Sequence, residues 1–365
     1  MRLLFYTRIF RLAGTGAEDY AVKLCKGLAD RGHEVHVIAD DIDAVEGLHT
    51  YADTSSITQI REQVNPDMTV DWQFVHRADV HRMGSGVHAS FIRYSLDAYS
   101  GASRFYKQLR YQGRKHRDII ARQQQLLADP DALFLPNSQF CAGQALENGA
   151  RQEHVVTLHN GVDTNHYQPV QDDASRQALR HAWRVQDDDV VFLFVAHNLR
   201  LKNYTLLARI FTRLLNSPQF KLVVIGKHRP LRLPGNCRYT GKADDMAAVY
   251  RAADVFLHPT YYDSCANVVL EAMSSGLPVI ASDRCGANEL ITDGESGFEL
   301  PVVGKHAVIR DAWMERIIML GNDAAVRQRI GQHARQAMLG NDFQLYVTKF
   351  EAVLEKALRA RQANA

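Results

Sequence analysis

The sequence predicts an α/β protein with two doubly wound domains, each built on a parallel sheet. Two observations carry this prediction. Short apolar runs alternate with helical stretches through both halves of the chain, which is typical of parallel sheets covered by helices. At 365 residues the chain also exceeds what one hydrophobic core usually supports. We therefore expect two Rossmann-like domains with a cleft between them.

The first domain opens with a strand at residues 3–6 and a glycine-bearing turn. Gly14 and Gly16 allow close backbone approach to a ligand. A helix follows, and residues 34–39 alternate as the next strand. Asp19 stands where a dinucleotide-binding turn has its third glycine, which counts against the alternative of a nicotinamide-dependent oxidoreductase.

The second half repeats the pattern after a polar stretch, residues 168–175, that is typical of a linker. The predicted strands are 190–196, 222–225, 255–258 and 277–281, and the predicted helices are 204–215, 247–253 and 267–275. Another helix is predicted at 345–361.

Asp263 and Glu271 are the most informative pair of residues. Asp263 follows a predicted strand, at the edge of the sheet where open α/β folds bind ligands, and Glu271 lies about one turn inside the next helix. The first amides of that helix, around Ala266, Asn267 and Val268, make an anion site. Two carboxylates that flank an anion site suit a ligand with hydroxyls at both ends and phosphate in the middle, such as a nucleotide-sugar.

Arg200 and Lys202 add fixed positive charge directly after the predicted strand at 190–196. We interpret them as ligands of the donor phosphates. The alternative is a solvated basic turn.

Composition excludes several classes of protein. A formal net charge of +2 does not indicate a nucleic-acid partner. The five cysteines are scattered and never form a C-x-x-C pair, which indicates reduced thiols in a cytosolic protein. No apolar run approaches the ~20 residues of a membrane span, and the first residues do not resemble a signal peptide. We expect a cytoplasmic protein.

A basic stretch, residues 98–117, has no acidic residue and carries interleaved aromatic side chains. Its cations are Arg104, Lys107, Arg110, Arg114, Lys115 and Arg117. As a helix it would suit an anionic membrane surface. It could equally hold a phosphorylated acceptor or be a solvated helix, and nothing else in the chain supports single-stranded nucleic acid.

The spacing of Asp263 and Glu271 resembles the E-x7-E region of the retaining family 4 glycosyltransferases, which have the GT-B fold. The resemblance implies that Asp263 contacts hydroxyls of the donor sugar and that Glu271 contacts the nucleotide ribose. It also implies a phosphate role for Lys202, and a diphosphate-facing loop at Gly14 and Gly16. Asp replaces the usual Glu at position 263, which leaves the donor sugar open.

The segment 79–88 resembles a loop of the WaaG-like glucosyltransferases that build the lipopolysaccharide core. This resemblance implies an acceptor side near Ser85 and makes His88 a candidate catalytic residue. It further implies UDP-glucose as donor, a glycolipid or oligosaccharide acceptor, and peripheral attachment to the inner membrane. The implied domains are 1–166 for the acceptor and 167–344 for the donor, with helix 345–365 packing back on the first.

We expect no metal and no other cofactor, because fixed cations and amides would stabilise the leaving diphosphate. The resemblance implies front-face substitution with retention. The main alternative is a GT-A enzyme, which needs a D-x-D metal site; Asp41 and Asp43 fit those letters. His76, His81 and His88 are close in sequence, but two intervening glycines disfavour a single metal-binding helix.

Overall fold

The computed structural model describes residues 1–12, 16–52, 56–170 and 173–363. They divide into two compact units. Unit 1 comprises Met1–Phe91, Leu109–Asn160 and Gln344–Ala365, and unit 2 comprises Ile92–Gln108 and Gly161–Phe343. These ranges differ from the expected 1–166 and 167–344, since residues 92–108 fall in unit 2 and the main division comes after residue 160.

Along the first part of the chain the elements are β1 Arg2–Tyr6, β2 Ile9–Phe10, α1 Gly16–Ala29, β3 Glu34–Ile38, β4 Asp41–Ile42, β5 His49–Tyr51, α2 Ile57–Val64, β6 Met68–Asp71, β7 Val80–Met83, α3 His88–Ser95, α4 Gly101–Tyr111, α5 Arg114–Leu127, β8 Leu133–Pro136 and α6 Gln139–Glu147. Strands β5, β3, β1, β6, β7 and β8 form one parallel sheet in that order. Strands β2 and β4 pair separately.

The second part contains α7 Asp173–Ala182, β9 Val190–Val195, α8 Tyr204–Arg213, β10 Phe220–Ile225, β11 Cys237–Gly241, α9 Met246–Ala252, β12 Val255–His258, α10 Asn267–Ser274, β13 Val279–Ser282, β14 Gly297–Leu300, α11 His306–Asn322, α12 Ala324–Leu339 and α13 Phe343–Ala363. Its sheet is also parallel, in the order β11, β10, β9, β12, β13, β14. The predicted strands and helices of the second half are confirmed, with ends that differ by a few residues.

The core of unit 2 explains why β9 reads as an unbroken apolar run. Val191 and Leu193 pack in a cluster on one face of the sheet, while Phe192 and Phe194 pack in a second cluster on the other face. A parallel strand that is covered by helices on both faces needs apolar residues at every position.

The basic stretch is not one helix. The chain forms α4 and then α5, with Gly113 in an extended conformation as the N-cap of α5. Within the described ranges, no helix combines the length and the apolarity needed to cross a bilayer.

Helix α13 packs on unit 1 from residue 344 onward. Its buried face includes Tyr346 and Phe350, and Glu351 lies 2.7 Å from Nε2 of His33. Near its end, Arg361 pairs with Asp79 at 3.0 Å.

Candidate functional site

In the sheet of unit 2, strands β10 and β11 lie on one side of β9, and strands β12, β13 and β14 lie on the other. The strand order therefore reverses between the neighbours β9 and β12. In open α/β sheets the crevice at the carboxyl ends of such a strand pair is the usual ligand site. The loop after β9 carries Lys202, and the loop after β12 carries Asp263. The backbone joins these loops, since the amide of Tyr261 donates to the carbonyl of Leu201 at 2.9 Å.

Lys202, Asp263 and His258 form a charged cluster in this crevice. The Lys202 ammonium pairs with Oδ2 of Asp263, and Nε2 of His258 lies 3.3 Å from the same oxygen. The Lys202 and Asp263 side chains are each 19% exposed, while the His258 side chain is fully buried. The buried His258 ring therefore holds the Asp263 carboxylate, which remains accessible to a ligand.

The charges of this cluster determine its protonation. Burial would raise the pKa of Asp263, but the Lys202 ammonium and the His258 ring together outweigh burial and hold that pKa well below its usual range. Burial lowers the pKa of His258, and the charge of Lys202 acts in the same direction. At neutral pH His258 is therefore a neutral imidazole, and its Nε2–H donates to the ionised carboxylate.

The main chain of Asp263 is also fixed. Its amide donates to the carbonyl of Arg284 at 2.9 Å, and its carbonyl accepts from the amide of Gly286 at 3.0 Å. These bonds tie the loop after β12 to the segment after β13. They leave the Asp263 side chain little freedom beyond its contacts with Lys202 and His258.

Helix α10 begins at Asn267, with Ala266 as an N-cap that has no side-chain hydrogen bond. Ala266 accepts the amide of Val269 at 3.0 Å, so Asn267 and Val268 occupy the first turn. One turn further, Glu271 is partly exposed and its Oε2 accepts a 2.7 Å hydrogen bond from the hydroxyl of Tyr250.

Tyr250 holds Glu271 from inside the core. It lies on α9 and is fully buried, and burial together with the charge of Glu271 raises its pKa well above the ordinary value. The hydroxyl therefore remains protonated and donates. The sequence reading missed both Tyr250 and His258; the signal for His258 was a polar residue that ends a buried strand.

Arg200 is placed differently from Lys202. Its guanidinium lies over the ring of Tyr99, 4.8 Å from the ring centroid. Tyr94 likewise stacks on Tyr262 at 5.8 Å. These contacts explain why residues 92–108 belong to unit 2. Arg200 and Lys202, which we interpret together as phosphate ligands, therefore have different partners: the Tyr99 ring for Arg200 and the Asp263 carboxylate for Lys202.

The glycine-bearing turn can be described only in part. Gly16 begins α1. Gly14 lies outside the described residues, so its role as a diphosphate ligand stays a prediction.

Ser85 and His88, which we expect on the acceptor side, lie in unit 1. Ser85 is exposed in the turn after β7, and His88 is the first residue of α3. The His88 ring stacks on that of His116, with Nε2 and Nδ1 2.9 Å apart. Burial lowers the pKa of His88, and the neighbouring His116 adds to this effect. His88 is therefore a neutral imidazole near neutral pH.

The four cations proposed for the acceptor or membrane differ in their partners. Arg104 bonds Asp97 at 3.0 Å, and Lys107 lies 5.6 Å from the Tyr99 ring centroid. Arg114 is 3.7 Å from Asp118, and Arg110 is exposed near the end of α4. On the same helix Phe105, Tyr106 and Leu109 are 66%, 63% and 48% exposed, an unusual density of apolar surface.

The alternative metal ligands are engaged in the structure. Asp41 receives two hydrogen bonds from Arg11, and Asp43 accepts the amide of Leu12 at 3.1 Å. Elsewhere in the described part of unit 1, Glu34, His36 and His49 lie close enough to hold a metal ion. There the two histidine rings stack at 4.6 Å, and both ring nitrogens of His36 face protein partners, Tyr51 and Glu34.

A known family model matches part of the second unit. Residues 189–323 match the family model for glycosyl transferases group 1. A D-inositol 3-phosphate glycosyltransferase of Corynebacterium kroppenstedtii is 28% identical over 48% of this chain and 43% of its own. A GDP-mannose-dependent alpha-mannosyltransferase of Mycobacterium tuberculosis is 31% identical over 50% of this chain and 46% of its own. The chain spans about half the length of the curated relatives it matches.

Solved structures extend the likeness to nearly the whole chain. WaaG, a glycosyltransferase involved in lipopolysaccharide biosynthesis, aligns with a TM-score of 0.78 at 16% identity, over 96% of this chain and 99% of WaaG. Anabaena Alr3699/HepE in complex with UDP and glucose aligns with a TM-score of 0.75 at 17% identity, over 98% and 100% of the two chains. The chain therefore has the GT-B fold, and residues 189–323 are similar to the group 1 glycosyl transferases.

Proposed function

We propose that the protein is a retaining glycosyltransferase that transfers a hexose from a nucleotide-sugar without a metal ion. One observation carries this proposal. The Lys202–Asp263–His258 cluster and the Tyr250–Glu271 pair lie on either side of the start of α10, inside the matched domain. Positive charge, a helix start and two positioned carboxylates suit the parts of a nucleotide-sugar.

Each residue has a role that follows from its chemistry. Glu271, fixed by Tyr250, would accept hydrogen bonds from the ribose hydroxyls. Asp263 would accept from hydroxyls of the donor sugar, and Lys202 would neutralise the diphosphate together with the first turn of α10. Arg200 would reach the diphosphate only by leaving the Tyr99 ring.

The reaction needs negative charge to be stabilised on the leaving diphosphate. Lys202 and backbone amides are fixed before the reaction, so they stabilise this charge without reorganisation. In front-face substitution the departing phosphate oxygen takes the proton of the attacking hydroxyl, and the new glycosidic bond forms on the face that the leaving group vacates. His88 is the candidate residue on the acceptor side that would orient the attacking hydroxyl while the phosphate oxygen takes its proton.

For the donor we propose UDP-glucose, and for the acceptor a lipopolysaccharide core or a related glycolipid. The overall likeness to WaaG and the UDP and glucose bound by Alr3699/HepE support this choice. The relatives that use GDP-mannose make that donor the main rival. The exposed aromatic and basic residues of α4 support attachment to an anionic membrane surface.

A thermal-shift panel of UDP-, ADP- and GDP-sugars tests the proposal, because a tightly bound ligand stabilises the native state by mass action. We expect UDP-glucose to raise the melting temperature most. A larger shift with GDP-mannose would make GDP-mannose the proposed donor in place of UDP-glucose. If no nucleotide-sugar or nucleoside diphosphate raises the melting temperature, the proposed function is contradicted.

A further inference from the structure

Unit 2 contains a cavity whose lining does not include Lys202, Asp263 or Glu271. Its volume is about 950 Å³, near the upper end of the ~300–1,000 Å³ typical of small-molecule sites. It lies between the first turns of α8 and α11, the loop 229–234, and the segment 97–100. All of these segments belong to unit 2.

The cavity is strongly basic. Five arginines line it, at positions 200, 209, 229, 232 and 310, against one acidic residue, Asp97. Asp97 is already paired with Arg104 at 3.0 Å, and Arg310 is paired with Asp311 at 2.7 Å. Among the described residues, no carboxylate lies within ion-pair distance of Arg209, Arg229 or Arg232, and the Arg200 guanidinium lies over the Tyr99 ring. The cavity therefore holds positive charge that the rest of unit 2 does not neutralise.

The loop that carries Arg229 and Arg232 is held in place. Pro230 and Pro234 fix two of its backbone φ angles. The hydroxyl of Tyr204 on α8 donates to the carbonyl of Arg232 at 2.8 Å. A loop whose backbone is held loses less conformational entropy when a ligand binds than a free loop does.

The walls add apolar and aromatic surface to this charge. Tyr99, Tyr261, Val302 and Ile309 line the cavity, and Leu231 at its rim is fully exposed. Aromatic rings beside cations suit sugar rings that carry anionic groups, since the rings pack on C–H faces and the arginines bind the anions. A flat bilayer surface cannot enter a concave site, which favours a discrete ligand.

The cavity adjoins the donor site along the chain. Arg200 and Asn203 line it on either side of Lys202, and Tyr261 lines it two residues before Asp263. The cavity and the proposed donor site are therefore built in part on the same two loops.

We propose that this cavity binds the acidic part of a carbohydrate acceptor that carries several phosphate, sulfate or carboxylate groups. That the ligand is a glycosyl acceptor rests on the proposed glycosyltransferase function. Binding of an anionic carbohydrate to the cavity can be tested without it. It assigns Arg209, Arg229 and Arg232 to recognition of the acceptor's charge, apart from the nucleotide ligands Lys202 and Glu271.

The test uses a heparin tetrasaccharide as an acidic probe, with maltotetraose as an uncharged probe of equal length and hexathymidylate as a nucleic-acid probe. Calorimetric titration compares the wild-type chain with Arg229→Gln/Arg232→Gln. A matched control, Arg213→Gln/Arg329→Gln, removes two exposed arginines outside the cavity, on α8 and α12.

We expect the heparin tetrasaccharide to bind the wild type and the control equally, and the cavity variant about tenfold more weakly, from two lost charge contacts. Maltotetraose should bind much more weakly than heparin. Affinity for the nucleoside diphosphate should be the same in all three proteins, which also shows that the variants are folded.

Three results would overturn the proposal. The first is that the wild type fails to bind heparin, the second that the control variant loses as much heparin affinity as the cavity variant, and the third that maltotetraose binds as tightly as heparin. Tighter binding of hexathymidylate with the same arginine dependence would make the cavity a nucleic-acid site instead. If the wild type does not bind the nucleoside diphosphate, the proposed function is contradicted, but the heparin titration still tests the anion site.

Discussion

At the scale of single residues, Asp263 gives a pH-dependent contribution to stability. Lys202 and His258 hold its pKa below the usual range in spite of burial, so the folded value lies below the unfolded value of about 3.9. Such a group stabilises the fold fully above the unfolded pKa and loses this contribution as pH falls towards the folded pKa. The difference in unfolding free energy between wild type and Asp263→Asn should therefore be constant from neutral pH to about 5 and shrink below about 4.

Urea unfolding at a series of pH values measures that difference. A difference that stays constant to the lowest accessible pH would mean that the carboxylate titrates as in the unfolded chain, and that Lys202 does not hold its charge.

Glu271 should contribute to nucleotide affinity and little to folding. In Glu271→Gln a neutral amide replaces the carboxylate that Tyr250 fixes, and the ribose loses a charge-assisted hydrogen bond. We expect nucleoside diphosphate binding to weaken by about 1–3 kcal/mol in calorimetric titration. Glu315→Gln, an exposed change on α11, is the control. Equal affinity in a folded Glu271→Gln protein would remove this residue from the site.

At the scale of elements, α4 and the start of α5 should bind anionic membranes. Arg110→Glu/Arg114→Glu reverses two charges of the basic stretch, which also carries the exposed Phe105 and Tyr106. Each lost cation near such a surface is worth about 1 kcal/mol, so sedimentation with phosphatidylserine vesicles should fall sharply. Turnover of a lipid-free acceptor should change less.

The same charge reversal at Arg213 and Arg329 should leave vesicle binding nearly unchanged. If both double variants lose binding equally, net charge and not this helix pair explains the attraction. If the wild type does not sediment even at low salt, the membrane hypothesis is wrong.

The position of α10, and with it Glu271, depends on its contact with α12. A Cβ at Gly331 on α12 would lie 2.1 Å from the carbonyl oxygen of Gly276, directly after α10. Gly331→Ala must therefore push the two helices apart, and we expect a loss of about 1–3 kcal/mol in unfolding free energy. Gly143→Ala on α6 meets nothing within 4 Å and should instead stabilise its helix by about 0.5–1 kcal/mol. Urea unfolding separates the two, and equal stability of both variants would contradict the close contact.

At the scale of the whole molecule, activity should persist in EDTA, and the product should keep the anomeric configuration of the donor. In the proposed mechanism, Lys202 and the first turn of α10 would supply the charge stabilisation that a divalent ion could otherwise provide. Loss of activity in EDTA that Mn²⁺ restores would direct attention to Asp41 and Asp43. An inverted anomeric centre in the proton NMR spectrum of the product would contradict the retaining mechanism, whatever the metal result.

Much of the fold could be predicted from local pattern. Residues that are neighbours along the chain predict the apolar strand β9 and the helix α10, which ends before Gly276. Gly276 has a φ of 77°, the left-handed conformation expected of a glycine after a helix. Asp263 and Glu271 could be identified in the same way, because strand, loop and helix lie within one short segment.

The sequence by itself determined two parallel-sheet domains and the residues at one sheet edge, because both follow from the period of apolar residues and from short spacings. Only the tertiary structure decided which partners hold those residues. Packing brings His258 into contact with Asp263, and Tyr250 into contact with Glu271. It also places Arg200 on the ring of Tyr99, about a hundred positions earlier in the chain, while Lys202 pairs with Asp263. The basic cavity likewise joins four segments that are distant in sequence. Such contacts depend on how sheets and helices pack, which no local spacing records.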